Sequence, residues 1–73
     1  MGFDSMNVSV TNLSTKQQSR VELGQGSIVT DLLKQLQLKA HATIVLLNNK
    51  PIPEDDLIID GGKYQVLPVA SGG

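Results

Sequence analysis

The chain has 73 residues, the size of one small domain, and its lack of Cys and single His exclude disulfides, a thiol nucleophile and a Cys/His zinc site. Six Lys and Arg against seven Asp and Glu give a formal charge of -1, and Phe3 and Tyr64 are the only aromatic residues, which argues against a nucleic-acid binder. The longest apolar run, residues 44–47, is far shorter than the roughly 20 residues of a membrane-spanning helix. We therefore expect a cytoplasmic protein without membrane association.

The first two predicted elements are strands that form a hairpin. Apolar and polar residues alternate over residues 6–11 and again over residues 19–23, which is the period of half-buried strands. The residues between them have turn chemistry, so an antiparallel hairpin is predicted. Residues 1–5 do not fit the alternation and are predicted to be a flexible leader.

The next element is an amphipathic helix over residues 27–39. Ile28, Leu32 and Leu36 recur at four-residue spacing and form one apolar stripe. Ser27 is the predicted N-cap, because its hydroxyl can accept a hydrogen bond from an otherwise unpaired N–H. The stripe must be buried against another element.

The second half of the chain alternates strands with turns. We predict a strand at residues 43–47, a turn at 48–51 and a short edge strand at 51–53. A helical turn at residues 54–57 and a sharp turn at 60–62 then lead to a final strand at 63–67. The simplest arrangement is α+β: one mixed sheet packed on one helix, with the first and last strands paired in parallel at the centre. The domain then covers residues 6–68, and residues 69–73 form a flexible C-terminal tail.

The sequence offers no constellation typical of an enzyme. His41 has no second base beside it, and an ordinary surface histidine is favoured. Glu54, Asp55 and Asp56 lack the ligand spacing of a calcium loop, and the glycines of residues 24–26 lack the rest of a phosphate-binding loop. We therefore expect no catalytic residues and no bound metal or cofactor.

The remaining candidate for chemistry is the pair Gly72-Gly73 at the end of the sequence. Alone it is weak evidence, because many chains end in small residues. A backbone without Cβ atoms can thread a narrow channel, and an α-carboxylate is ionised at neutral pH. Such a carboxylate can attack the α-phosphate of ATP on a partner enzyme, after which a sulfur donor or an amine can displace AMP. The chain would then be a substrate and carrier.

The order of elements and the segments TIVLLNNKPIP and DGGKYQVLPVASGG resemble the ubiquitin-like sulfur carriers and small protein modifiers of prokaryotes, including MoaD, ThiS and the small archaeal modifier proteins. The resemblance covers about residues 6–73. It departs at the last turn, where Gly61-Gly62-Lys63 stands in place of the usual Gly-Asp. It implies a β-grasp fold, with a sheet of four to five strands on one main helix.

The same resemblance implies a reactive residue. Gly73 would be adenylated by a ubiquitin-activating-type enzyme that uses ATP, and would then become a thiocarboxylate or an isopeptide bond to a target lysine. Gly72, which has no side chain, would let Gly73 reach the activating site, and Ser71 and Ala70 would be the residues through which the tail contacts the enzyme.

Partners are expected on the sheet face away from the helix. If Ile44 and Leu46 face the helix, Val45 and Leu47 lie outside as an exposed apolar patch; the alternative, that these two are covered, is equally open. Five lysines are candidate acceptors for chain formation, although an ordinary solvated side chain is favoured for each: Lys16, Lys34, Lys39, Lys50 and Lys63.

Three functions stay open on the sequence. The favoured one is a modifier that serves both protein conjugation and sulfur transfer, with target proteins as partners. The second is a dedicated carrier of the ThiS or MoaD type that supplies an enzyme of thiamine or molybdopterin synthesis. The third is a ubiquitin-like binding module that is not conjugated.

Overall fold

The computed structural model describes residues 5–69. The elements in chain order are five strands, one α-helix and a 3-10 turn: β1 (Ser5–Asn12), β2 (Gln17–Gly24), α1 (Val29–Gln35), the 3-10 turn (Ala40–Ala42), β3 (Thr43–Leu47), β4 (Lys50–Ile52) and β5 (Lys63–Pro68). β1 begins at Ser5, so that residue is part of the sheet and not of the predicted leader. Residues 1–4 and 70–73, on which the rest of the predicted leader and most of the predicted tail fall, lie outside the described residues.

The five strands form one sheet in the order β2-β1-β5-β3-β4. β1 and β5 pair in parallel, and the other neighbours are antiparallel. The predicted α+β arrangement, with the first and last strands parallel at the centre, is confirmed. Because β5 lies between β1 and β3, the last described strand of the chain lies in the middle of the sheet.

One face of the sheet packs on α1 and forms the core. The alternation predicted for β1 is confirmed, since its even-numbered apolar residues are buried. β5 contributes Tyr64 and Val66 to the same face, and the helix contributes three buried side chains. The buried core consists of Met6, Val8, Val10, Leu23, Val29, Leu32, Leu33, Val45, Ile58, Tyr64 and Val66.

The helix is shorter than predicted at both ends. Its N-cap is Ile28 and not Ser27, and the Asp31 carboxylate accepts a hydrogen bond of 2.9 Å from the Ile28 N–H. After Gln35 the backbone turns, because Gln37 adopts a left-handed φ of 60°. The apolar stripe predicted the helix face, but the four-residue spacing could not mark where the backbone leaves the helix.

Residues 54–57 were predicted to be a helical turn, and this prediction is wrong. The segment is a non-helical turn that caps α1: the Asp56 carbonyl accepts from the Val29 N–H and the Glu54 carbonyl from the Thr30 N–H, both at 2.9 Å. These are donors that the first turn of a helix leaves unpaired. The loop thereby fixes the start of the helix.

Candidate functional site

The predicted partner surface has the opposite orientation in the structure. Val45 is only 3% exposed and belongs to the core, and Leu47 packs against that core, so the prediction that these two form an exposed patch is wrong. The cause is the register of β3 with β5, in which Val45 lies directly opposite the buried Val66. Successive side chains of a strand point to opposite faces, so Ile44 and Leu46 face away from the helix.

The outer face of the sheet carries an apolar strip on β3 and β5. Ile44 is 44% exposed and lies directly opposite Leu67, which is 37% exposed. Leu46 is half-buried and lies between Gln65 of β5 and Pro51 of β4. We call Ile44, Leu46 and Leu67 the outer apolar strip. Sequence reasoning missed its orientation because residues 44–47 are apolar on both faces of the strand.

The end of the described chain, at Pro68 and Val69, lies beside this strip, and we call this position the exit because residues 70–73 continue from it in the sequence. The last pair of β3 and β5 is Thr43 with Pro68, and the Val69 N–H then donates a hydrogen bond of 2.7 Å to the Ala42 carbonyl. Val69, which the sequence assigned to the free tail, is thus still attached by its backbone, while its side chain is 49% exposed. The predicted site residues Ala70, Ser71, Gly72 and Gly73 lie outside the described residues.

The start of β5 is held by the turn that precedes it. The Tyr64 ring is buried, and its hydroxyl accepts a hydrogen bond of 2.9 Å from the Ile59 N–H. Gly61, with a left-handed φ of 77°, donates its N–H to the Asn7 carbonyl at 2.8 Å. The sharp turn predicted at residues 60–62 is confirmed, and it fixes the position of the strand that leads to the exit.

The five candidate acceptor lysines are all exposed and lie on different elements. Lys16 adopts a left-handed φ in the β1–β2 turn, Lys34 lies in the last turn of α1 and Lys39 precedes the 3-10 turn. Lys50 begins β4 and Lys63 begins β5. Their role as acceptors stays a prediction.

The other chemistry-bearing residues are surface groups. His41 is exposed within the 3-10 turn, and Glu54, Asp55 and Asp56 are exposed in the loop that caps α1. Over residues 5–69, no three side chains of the His, Cys, Asp and Glu types come together as a metal site. In the same part of the chain, no helix is long and apolar enough to cross a bilayer.

Solved structures of several small proteins share this fold. Caldiarchaeum subterraneum ubiquitin aligns with a TM-score of 0.73 at 12% identity, covering 96% of this chain and 100% of that one. A putative molybdopterin converting factor, subunit 1, from Pyrococcus furiosus gives 0.71 at 17% identity, covering 89% and 99%. SAMP1 from Haloferax volcanii gives 0.64 at 18% identity, covering 96% and 100%. These likenesses confirm the ubiquitin-like β-grasp fold.

The family follows from the sequence match. A family model described as small archaeal modifier protein 2 matches residues 6–69, which is nearly the whole described domain. This agrees with the resemblance noted on the segments around β3 and β5, and it supports a modifier or carrier role over an enzymatic one. The chain belongs to the small archaeal modifier protein 2 family.

Proposed function

We propose that the chain is a ubiquitin-like modifier and sulfur carrier that acts through the α-carboxylate of Gly73. The carboxylate attacks the α-phosphate of ATP on an activating enzyme, pyrophosphate leaves, and an acyl adenylate forms. A lysine amine of a target protein then attacks the acyl carbon and displaces AMP, which yields an isopeptide bond. Alternatively, a sulfur donor displaces AMP and leaves a thiocarboxylate.

The observation that carries this proposal is the family match over residues 6–69. The geometry of the exit supports it. Four residues follow Val69 in the sequence, and fully extended they span at most about 14 Å. Their side chains are small or absent, which suits a narrow channel, and they follow a strand whose position the sheet fixes on both sides.

The outer apolar strip is the surface on which we expect the activating enzyme to dock. Ile44 and Leu67 expose apolar area within a few residues of the exit, so an enzyme that binds them also holds the tail nearby. Exposed apolar patches with a polar surround are typical of protein interaction sites. Gln65, in the same face of β5, supplies part of that polar surround.

The second candidate is a dedicated sulfur carrier for cofactor synthesis. The likeness to the Pyrococcus furiosus protein named as a putative molybdopterin converting factor subunit favours it, although at 17% identity that likeness concerns the fold. The two candidates share the adenylation step and differ in what displaces AMP. The third candidate, a binding module that is never conjugated, lacks the adenylation step.

Removing Gly72 and Gly73 tests the shared step. The shortened chain should keep the melting temperature and circular dichroism of the full chain, because glycines have no side chain to bury and both follow the last strand of the sheet in the sequence. It should no longer release pyrophosphate from ATP with the activating enzyme. A chain shortened by Met1 and Gly2 is the matched control and should react normally. Adenylation of the chain that lacks Gly72 and Gly73 would refute the proposal.

Mass spectrometry of the protein from its native host separates the candidates. A thiocarboxylate raises the intact mass by about 16 Da, the difference between sulfur and oxygen. Conjugation is visible after trypsin digestion: no Lys or Arg follows Lys63, so a modified target lysine carries the ten-residue remnant YQVLPVASGG. Both signals together support the dual role, and the sulfur form alone supports the dedicated carrier.

A further inference from the structure

β2 forms an open edge of the sheet. It has eight residues and contains no Pro, and within residues 5–69 it pairs with β1 alone. The opposite edge, β4, has three residues and carries Pro51, so it is short and poorly suited to extend the sheet. A long edge strand with unpaired N–H and C=O groups is a template for pairing with another strand.

The hydrogen bonds of β1 show which groups of β2 are free. The Ser9 N–H donates to the carbonyl of Gly62, just before β5, at 3.1 Å, and the N–H of Leu13, just after β1, donates to the Val66 carbonyl of β5 at 2.8 Å. The alternate residues Val8 and Val10 therefore direct their backbone groups toward β2. Their partners in β2 are Val21 and Ser19. The intervening residues Gln18, Arg20 and Glu22 therefore point their backbone N–H and C=O groups out of the sheet.

The side chains of this edge are self-complementary in charge. Arg20 and Glu22 are both exposed and both lie on the face away from the helix, since Leu23 faces the core. A two-fold axis at Val21 places Arg20 of each copy opposite Glu22 of the other copy, so two pairs of opposite charge form. Each of these pairs joins two outward-pointing residues, so it can exchange both backbone hydrogen bonds.

Registers centred next to Val21 fit less well. An axis at Arg20 sets two arginines opposite each other, and an axis at Glu22 does the same with two glutamates, which is unfavourable for directly opposed residues. A two-fold axis between two residues places a residue whose backbone groups point out of the sheet opposite a residue whose backbone groups already bond to β1. With the axis at Val21, the two half-buried valines also meet on the helix side of the sheet.

We propose that the β2 edge binds a second copy of this chain, in antiparallel register about Val21, to form a symmetric dimer with one continuous sheet. The occupant is a second copy because the alternating Arg20 and Glu22 complement themselves about one axis. β2 is separated from β5 by β1, so the outer apolar strip and the exit at Val69 stay accessible in the dimer. The interface is a single pair of strands, so the association is weak and depends on concentration.

Sedimentation equilibrium over a concentration series measures dimerisation, and variants with reversed charges on β2 test the proposal. R20E and E22R each place like charges opposite each other, so each should dimerise about tenfold more weakly than the wild type. An equimolar mixture of R20E and E22R restores both opposite-charge pairs and should form a heterodimer. The control K50E has the same charge change as R20E but lies on the far edge, and it should dimerise as the wild type does.

Amide hydrogen exchange locates the interface. The Arg20 and Glu22 amides should gain protection as the concentration rises, whereas the Val21 amide is already bonded to β1 and serves as the internal reference. The proposal is overturned by a wild type that stays monomeric at the millimolar concentrations of an NMR sample. A dimer insensitive to R20E, a mixture that does not recover, or protection gained only when an extended foreign peptide is added would also overturn it.

Discussion

Replacing Gly62 by Ala tests the packing of the turn that positions β5. A Cβ atom at Gly62 would lie 2.7 Å from the Tyr64 Cε2 atom and 2.9 Å from the Ile59 carbonyl oxygen. Neither neighbour is free to move, because the Tyr64 hydroxyl accepts a hydrogen bond from the Ile59 N–H and the ring is buried. The added methyl group must therefore displace the ring, the backbone or both.

The expected cost is that of overpacking a filled site. Inserting a methyl group into such a site destabilises a domain by about 1–3 kcal/mol. In a domain of this size each kcal/mol lowers the melting temperature by roughly 4–8 °C. Small domains have little stability to lose, so we expect G62A to be folded but clearly weakened.

Gly24 provides the matched control. It lies at the end of β2, and no described atom outside residues 23–25 lies within 4 Å of a Cβ built there. G24A should change the free energy of unfolding by less than about 0.5 kcal/mol, or raise it slightly by restricting the unfolded chain. Urea unfolding and thermal circular dichroism measure both variants. If G62A is as stable as G24A, the rigidity assigned to Tyr64 and its turn is wrong.

Three further substitutions test single side chains. Tyr64→Phe keeps the ring but removes the acceptor for the Ile59 N–H, and we expect a loss of about 1 kcal/mol in urea unfolding; no loss would mean that water satisfies this group. Ile44→Asp changes the outer apolar strip and should leave stability within about 0.5 kcal/mol while reducing pyrophosphate release with the activating enzyme. Val45→Asp places the same carboxylate in the core and should unfold the domain. If the two variants were equally stable, the assignment of Val45 to the core face and Ile44 to the outer face would be wrong.

Where one face of an element is polar, the sequence predicted its orientation correctly. β1 alternates strictly, so its even-numbered residues were expected in the core and lie there. The apolar stripe predicted α1, but it did not predict that the helix ends at Gln35. Leu36 and Leu38 both pack against the core, although Leu38 lies beyond the helix, where the Leu33 carbonyl accepts its N–H. The spacing of apolar residues predicts which side chains are buried, but it does not predict whether the backbone that carries them is helical.

β3 shows why the candidate site could not be oriented from the sequence. Its residues 44–47 are all apolar, so both faces of the strand carry apolar side chains and period two gives no preference. The deciding contact is nonlocal: β3 pairs with β5 so that Val45 meets Val66 and Ile44 meets Leu67. In β5 the alternation of Tyr64 and Val66 with the polar Lys63 and Gln65 does mark the core face, and combining the two strands in the right register would have found the strip.

The absence of a polar face in β3 is itself informative. A strand that only had to cover the core could carry polar residues at Ile44 and Leu46, as β1 does at its outer positions. Exposed apolar area beside the exit is unfavourable for an isolated domain in water, and it becomes favourable when a partner covers it. The β2 edge, on the other side of β1, carries charges instead and pairs through its backbone. The two surfaces differ in chemistry and share no strand, so I44D should impair activation without changing dimerisation, and R20E should do the reverse.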